Sequence, residues 1–195
     1  MSHINAEAEK IIFTEARTQN AWLDKAVPQS KLHELYDLMK WGPTSTNCSP
    51  LRIIFLTTDA AKERIKATLA PPNVPKTMAA PVVAILARDI KFYEQLPFLS
   101  PHNNAVTWFK EGADNTIETA RRNATLQGAY FMIAARAVGL DCAPMSGFDA
   151  EKLNKEFFEG TDWEVDFICA LGHGDTEKLY PRGPRLSFDQ ACKVI

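Results

Sequence analysis

No stretch of the chain reaches the roughly 18 consecutive apolar residues of a membrane-spanning helix. An excess of charge of one sign is missing too: 22 Lys and Arg face 24 Asp and Glu, for a formal net charge of -2. That balance gives no support for nucleic acid or an anionic membrane as the main partner. Cysteine is scarce and scattered. Cys48, Cys142, Cys169 and Cys192 form no CxxC and no Cys/His cluster, so neither a zinc site nor a disulfide framework is indicated. Isolated thiols fit a reducing cytoplasm. The start, Met1 to Lys10, is polar and mixed in charge, unlike a signal peptide. No repeat or low-complexity run is present, and length predicts one domain, residues 1–195, on a prior of roughly 150 residues per domain.

Several catalytic signatures are also lacking. Gly172-His173-Gly174 follows a predicted strand, where a dinucleotide fingerprint would begin, but Glu177 stands in place of the third glycine. No helix N-terminus follows to hold a pyrophosphate. There is no Walker loop and no HExxH. Ser146 lies in Pro144-Met145-Ser146-Gly147-Phe148, which lacks the first glycine of GxSxG. His173, beside glycines, suits loop hydrogen bonding, and His33 and His102 have no partner at ligand spacing. No residue is singled out as catalytic and none as a metal ligand.

What is present is an α+β pattern. Leu32, Leu35, Tyr36 and Met39 recur at helical spacing and predict a helix over 28–41. A β-branched run predicts a strand over 52–58, and Asp59 is the expected cap of a helix through Leu69. Three prolines predict a loop over 70–76. The apolar runs at 81–88 and 165–171 predict buried strands. Asn115 with Glu118 resembles a capping box for a long helix to Val138, whose apolar second half is expected to be buried, with Gly139 at its end. Residues 142–148 read as loop or short strand, 149–158 as a short helix, and 172–185 as loop. The irregular stretch 89–114 is expected to cover a site. Helices outweigh strands around a central sheet, which is α+β rather than a regular βαβ array.

Four polar loops suit an anionic, planar ligand with a polar edge. Arg17 and Thr18 offer a guanidinium and a hydroxyl to a phosphate. Thr44, Ser45 and Asn47 lie in a donor-rich loop between Pro43 and Pro50. Asn73 and Lys76 place an amide and a cation three residues apart, and Arg182 and Arg185 form a late cationic pair.

From Arg17 to Arg185 the chain resembles the nitroreductase family of FMN-dependent oxidoreductases. The carriers are GPTSTNCSP at 42–50, Asn73 with Lys76, the segment Gly139 to Phe148 (GLDCAPMSGF), and Leu171-Gly172-His173-Gly174 followed by Pro184-Arg185. ARTQNAW at 16–22, MKWGPTSTNCSP at 39–50, PMSGFD at 144–149 and PRLSFDQAC at 184–192 resemble its malonic semialdehyde reductase branch, from uracil degradation. Departures are Ala16 and Asn20, where the family more often has arginines, and Leu51 in place of an aromatic.

The resemblance implies a central, mostly antiparallel sheet surrounded by helices, in an intertwined homodimer with FMN at the subunit interface. It implies a phosphate held between Arg17 and Arg185, helped by Thr18 and Arg182. Thr44, Ser45 and Asn47 would lie under the flavin and the partner chain, Asn73 and Lys76 at the pyrimidine edge, and Pro144, Met145, Ser146 and Gly147 near flavin N5. The implied activity is ping-pong hydride transfer from NADH or NADPH to a small acceptor, malonic semialdehyde (3-oxopropanoate), giving 3-hydroxypropanoate. A nitro, quinone or enone acceptor, a flavin-binding module without efficient turnover, and a serine hydrolase using Ser146 are the alternatives.

Overall fold

A computed structural model describes residues 3–195; the first two residues of the polar start Met1–Lys10 lie outside the described residues. Four strands form one sheet: β1 (Leu51–Leu56), β2 (Val82–Asp89), β3 (Asp141–Met145) and β4 (Trp163–Gly172). Their spatial order is β1-β2-β4-β3 and every pairing is antiparallel. Five helices of six residues or more pack on the sheet: α1 (Gln29–Met39), α2 (Asp59–Lys66), α3 (Val74–Ala79), α4 (Asp114–Ala137) and α5 (Ala150–Phe158).

Alternation along β2 explains the layering. Val82, Ala84 and Leu86 point to one face, and Val83, Ile85 and Ala87 to the other. Both faces are covered, so the strand is apolar from Val82 to Ala87. On the first face Leu32, Leu35 and Met39 of α1 meet Phe131, Ala134 and Ala135 of α4. On the second, Ile65 of α2 and Leu153 and Phe158 of α5 close over Ile168 and Ala170. Each such large side chain contributes about 1.5–3 kcal/mol on burial. A satellite core of Cys48, Phe92, Leu96, Ala105 and Ala120 lies under residues 89–114. That stretch folds as short helical turns, Phe92–Gln95, Leu96–Leu99 and Ala105–Trp108.

Four local expectations are corrected. Residues 70–76 are not a loop: a 3-10 turn at Pro71–Asn73 runs into α3. Proline in a first turn lacks only an N–H that would be unpaired anyway, so these prolines start helices. The cap of α2 is Thr58, whose hydroxyl accepts from the Ala61 N–H at 3.2 Å, while Asp59 ion-pairs with Lys62 at 3.1 Å. The capping box at Asn115 does not form, because α4 begins one residue earlier and the Asn115 amide donates to the Trp108 carbonyl at 3.0 Å. The apolar second half of α4 is buried on one side only: Leu126 is 46% and Tyr130 39% exposed. Gly139 does take the left-handed conformation, φ 81°.

Candidate functional site

The segment after Ala16 runs as a strap beside β3. Thr18 forms a parallel bridge with Cys142, and the Gln19 N–H donates to the Cys142 carbonyl at 3.0 Å. Further on, Trp22 bridges Gly174, the Leu23 N–H donates to the His173 carbonyl at 2.8 Å, and the Asp175 N–H donates to the Ala21 carbonyl at 3.0 Å. The late arginines meet the start of this strap. The Arg17 guanidinium donates to the Tyr180 carbonyl, and Arg182 donates to the Ala16 carbonyl at 3.1 Å. Arg185 lies on the same exposed segment, with its guanidinium turned onto the Gly183 and Pro184 carbonyls at 3.1 and 2.9 Å.

The outer edge of β3 continues into Ser146-Gly147. The Asn73 amide donates to the Gly147 carbonyl at 3.0 Å, and so does the Ala70 N–H, also at 3.0 Å. A Cβ on Gly147 would lie 2.6 Å from Asn73 Nδ2, so glycine is what permits this approach. The Trp22 indole N–H donates to the Lys76 carbonyl at 2.8 Å. Arg17, Thr18, Asn73, Lys76, Pro144, Met145, Ser146, Gly147 and Arg182 are thus drawn to the β3 side of one chain. Ser146 is exposed and its carbonyl accepts from the Phe148 N–H; no histidine partner of its hydroxyl is found among the described residues. The His173 imidazole is held below its usual pKa by burial and by Lys25.

Thr44, Ser45 and Asn47 are brought together elsewhere. Their loop precedes Leu51, which pairs with Arg88 at one end of β2, whereas Val82 at the other end pairs with Leu171, itself opposite Cys142. Six residues of strand separate those ends, about 20 Å, and three strand spacings of about 4.8 Å add to it. Within one chain, therefore, this loop does not share a ligand with the Arg17 cluster. It is tightly built all the same. The Ser45 N–H donates to Asn123 Oδ1 at 2.7 Å, the Ser49 N–H to Thr44 Oγ1 at 3.1 Å, and the Asn47 amide to the Leu99 carbonyl at 2.7 Å. Thr46, Asn47 and Ser49 all have positive φ, 49°, 56° and 37°, a conformation that costs non-glycine residues energy and clusters at functional sites. Burial of the neighbouring Cys48 pushes its thiol up to about 11.

Reading the sequence missed the residues that hold these loops. Asn123 and Gln127 of α4 receive the Ser45 and Leu51 N–H groups at 2.7 and 2.9 Å. Their signal was two amides four residues apart on a buried helix face. Gln19 is 2% exposed, its Oε1 has no partner among the described residues, and Gly174 leaves room for it. No group of three His, Cys, Asp or Glu side chains able to hold a metal occurs among the described residues.

Comparison with known proteins bears on this arrangement. The family model described as Nitroreductase family matches residues 14–173. A protein of Cupriavidus pinatubonensis, named as an NADH dehydrogenase/NAD(P)H nitroreductase, is 59% identical over 186 residues, 94% of this chain and 95% of the relative. A Bacillus subtilis crystal structure named as a nitroreductase superposes with a TM-score of 0.85 at 22% identity, covering 97% of this chain and 99% of the other. A structure from Exiguobacterium sibiricum, solved in complex with FMN, gives 0.82 at 15% identity over 100% of both chains. The fold of the last two is therefore the fold of this chain. With the family model covering most of its length and a relative this similar across nearly all of it, the chain belongs to the nitroreductase family.

Proposed function

We propose that residues 1–195 form one FMN-binding domain and that the protein is an NAD(P)H-dependent flavin oxidoreductase working as an intertwined homodimer. The observation that carries this reading is the meeting, beside β3, of two pairs of donor side chains with a bare stretch of main chain. Arg17 and Thr18 come from the strap, Asn73 from the cap of α3 and Lys76 from its last turn, and Gly147 from just beyond β3. That donor set fits FMN, which has an anionic phosphate at one end and a flat ring with a polar pyrimidine edge at the other. Bound FMN would supply hydride transfer at N5, chemistry that no side chain of the cluster provides.

The chain's own residues bind and orient. The Arg17 guanidinium has donors beyond the one given to Tyr180 and neutralises phosphate charge, with Arg182 and Arg185 adding positive charge and the Thr18 hydroxyl a further donor. Asn73 and Lys76 hold the pyrimidine edge, where the ammonium favours negative charge. Pro144 and Met145 carry Ser146 and Gly147 to the edge of the sheet, where their N–H groups can reach the ring.

Thr44, Ser45 and Asn47 complete the site of a second copy, since in their own chain they lie too far from Arg17. Exposed apolar groups support such a partner. Trp41 and Phe98, near that loop, are 79% and 82% exposed, and the tail leaves Leu186, Phe188 and Ile195 in solvent. Among the described residues the outer edge of β1 is unpaired in the sheet, and it borders a groove of about 1060 Å³ lined by Leu32, Met39, Ile53 and Phe55. Unprotected edges of this kind are normally covered. Four free thiols are in keeping with a reducing cytoplasm. No described helix is long and apolar enough to cross a membrane.

For the acceptor we propose 3-oxopropanoate: hydride goes to the aldehyde carbon, a proton to its oxygen, and 3-hydroxypropanoate leaves with NAD(P)+ as co-product. The branch-like segments at 16–22, 39–50, 144–149 and 184–192 support this. The name of the Cupriavidus relative favours a second acceptor, a nitro compound, with quinones and enones in the same class. The test is spectroscopic. Purified protein should be yellow and should bleach anaerobically with NADH or NADPH, and 3-oxopropanoate should restore the colour. Yellow protein that does not bleach would be a flavin-binding module; bleached protein that only nitro, quinone or enone compounds reoxidise would reassign the acceptor. Colourless protein that cannot take up FMN would refute the reading.

A further inference from the structure

The indole of Trp22 joins three separate segments of the candidate site. Its N–H donates to the Lys76 carbonyl at 2.8 Å. That carbonyl lies in the last turn of α3, where the Ala80 N–H that would reach it in a regular helix goes to Thr77 instead. The same end of the helix is held on its other side by Lys62, whose Nζ donates to the Met78 and Ala80 carbonyls at 3.3 and 3.0 Å. The Trp22 ring lies against Gly172: a Cβ there would be 2.9 Å from Trp22 Cε3 and 2.7 Å from the Pro81 ring. Its main chain bridges Gly174. Four residues earlier the strap carries Thr18, and one before that Arg17.

We propose that Trp22 is a positioning residue that locks the Arg17–Thr18 strap to α3, so that the phosphate-facing guanidinium and the ring-facing Lys76 are held as one unit. This rests on the flavin reading above. Binding energy gained at the phosphate is then transmitted through a short, packed connection to the group that sets charge at the pyrimidine edge. Lys62 grips the same helix end through hydrogen bonds to Met78 and Ala80, none of them to the strap, and serves as the control.

The test uses the full chain as wild type, W22F, K76M, W22F/K76M and K62M, with FMN affinity read by fluorescence titration and reduction potential by dye equilibration. Phenylalanine keeps an aromatic ring beside Gly172 but removes the N–H together with part of the indole, and K62M controls for the general loss of packing at this helix end. W22F is expected to bind FMN about tenfold more weakly and to have a more negative potential. The double variant is expected to match K76M within about twofold, as coupled residues do. K62M is expected to lower Tm while leaving FMN affinity within about twofold of wild type. Wild-type affinity and potential in W22F, singles that multiply in the double, or a K62M variant that binds as poorly as W22F, would each overturn the proposal. If W22F does not fold, hydrogen exchange on the unsubstituted protein decides it: FMN should slow exchange of the Trp22 indole N–H, and unchanged exchange would overturn it. Wild-type protein that takes up no FMN would sink the flavin reading itself, an outcome separate from all of these.

Discussion

At Gly147 the absence of a side chain decides a contact. Alanine there would press on Asn73 Nδ2 at 2.6 Å and break the 3.0 Å bond to the Gly147 carbonyl. G147A is expected to weaken FMN binding about tenfold with little change in Tm, since the position is at a sheet edge and not in the core; a fluorescence titration matching wild type would contradict this. R17A removes a charge-assisted donor worth about 1.5–3 kcal/mol. FMN affinity should fall roughly ten- to hundredfold, as read in the same titration. Cys48 makes a pH prediction. Burial raises its folded-state value from 9.0 to about 11. The unfolded thiol therefore loses its proton first, and the folded state is favoured fully below pH 9 and progressively less as pH rises toward 11. Stability in urea should decline over that window, and C48A should lose that part of the decline.

Among the described residues, those other than glycine with positive φ all lie in the loop between α1 and β1. Thr46 is β-branched and left-handed at φ 49°, which costs about 1–2 kcal/mol. Its hydroxyl meets Ser100 at 3.3 Å, and the Asn47 amide reaches Leu99, so the loop is stitched to the 89–114 stretch as well as to α4. Glycine at position 46 would relieve the strain and loosen that stitch. T46G is expected to raise Tm by about 2–4 °C while lowering turnover; a calorimetric scan and a steady-state assay together check it, and a lower Tm would refute the strain argument. Helix α3 shows the opposite economy. Its prolines fall where the missing N–H is harmless, and the resulting short helix holds Asn73 and Lys76 on one rigid platform.

For the whole molecule the decisive quantity is the separation of the two polar clusters, about 20 Å along the sheet. A homodimer in which each site takes Arg17 from one copy and Asn47 from the other has a testable consequence. R17A and N47A should each be impaired as homodimers. Mixed after unfolding and refolding together, half of the dimers pair unlike chains, and each of these carries one site free of both substitutions. About a quarter of all sites should be restored, as two-fold symmetry requires. Activity in the mixture no greater than the mean of the two variants would show that both clusters serve the site from a single chain.

The sequence by itself determined the elements whose signals are local. The apolar run of β2, the spacing of Leu32, Leu35 and Met39, and the αL glycine at 139 are periodicities and propensities readable within a dozen residues. The polar loops were legible in the same way, as clusters of donors between prolines. Three differences are local as well: the prolines at 71, 72 and 75 predict a loop yet stand in first turns, and Asp59 and Asn115 read as caps where Thr58 and Ala113 hold those places. What only the tertiary structure decided is which loops meet. Strand order β1-β2-β4-β3 puts Cys142 beside Thr18 and sends Leu51 to the far end of the sheet. The Trp22 to Lys76 bond spans 54 residues. Such meetings depend on pairing registers between distant segments, and no periodicity within either segment carries that information.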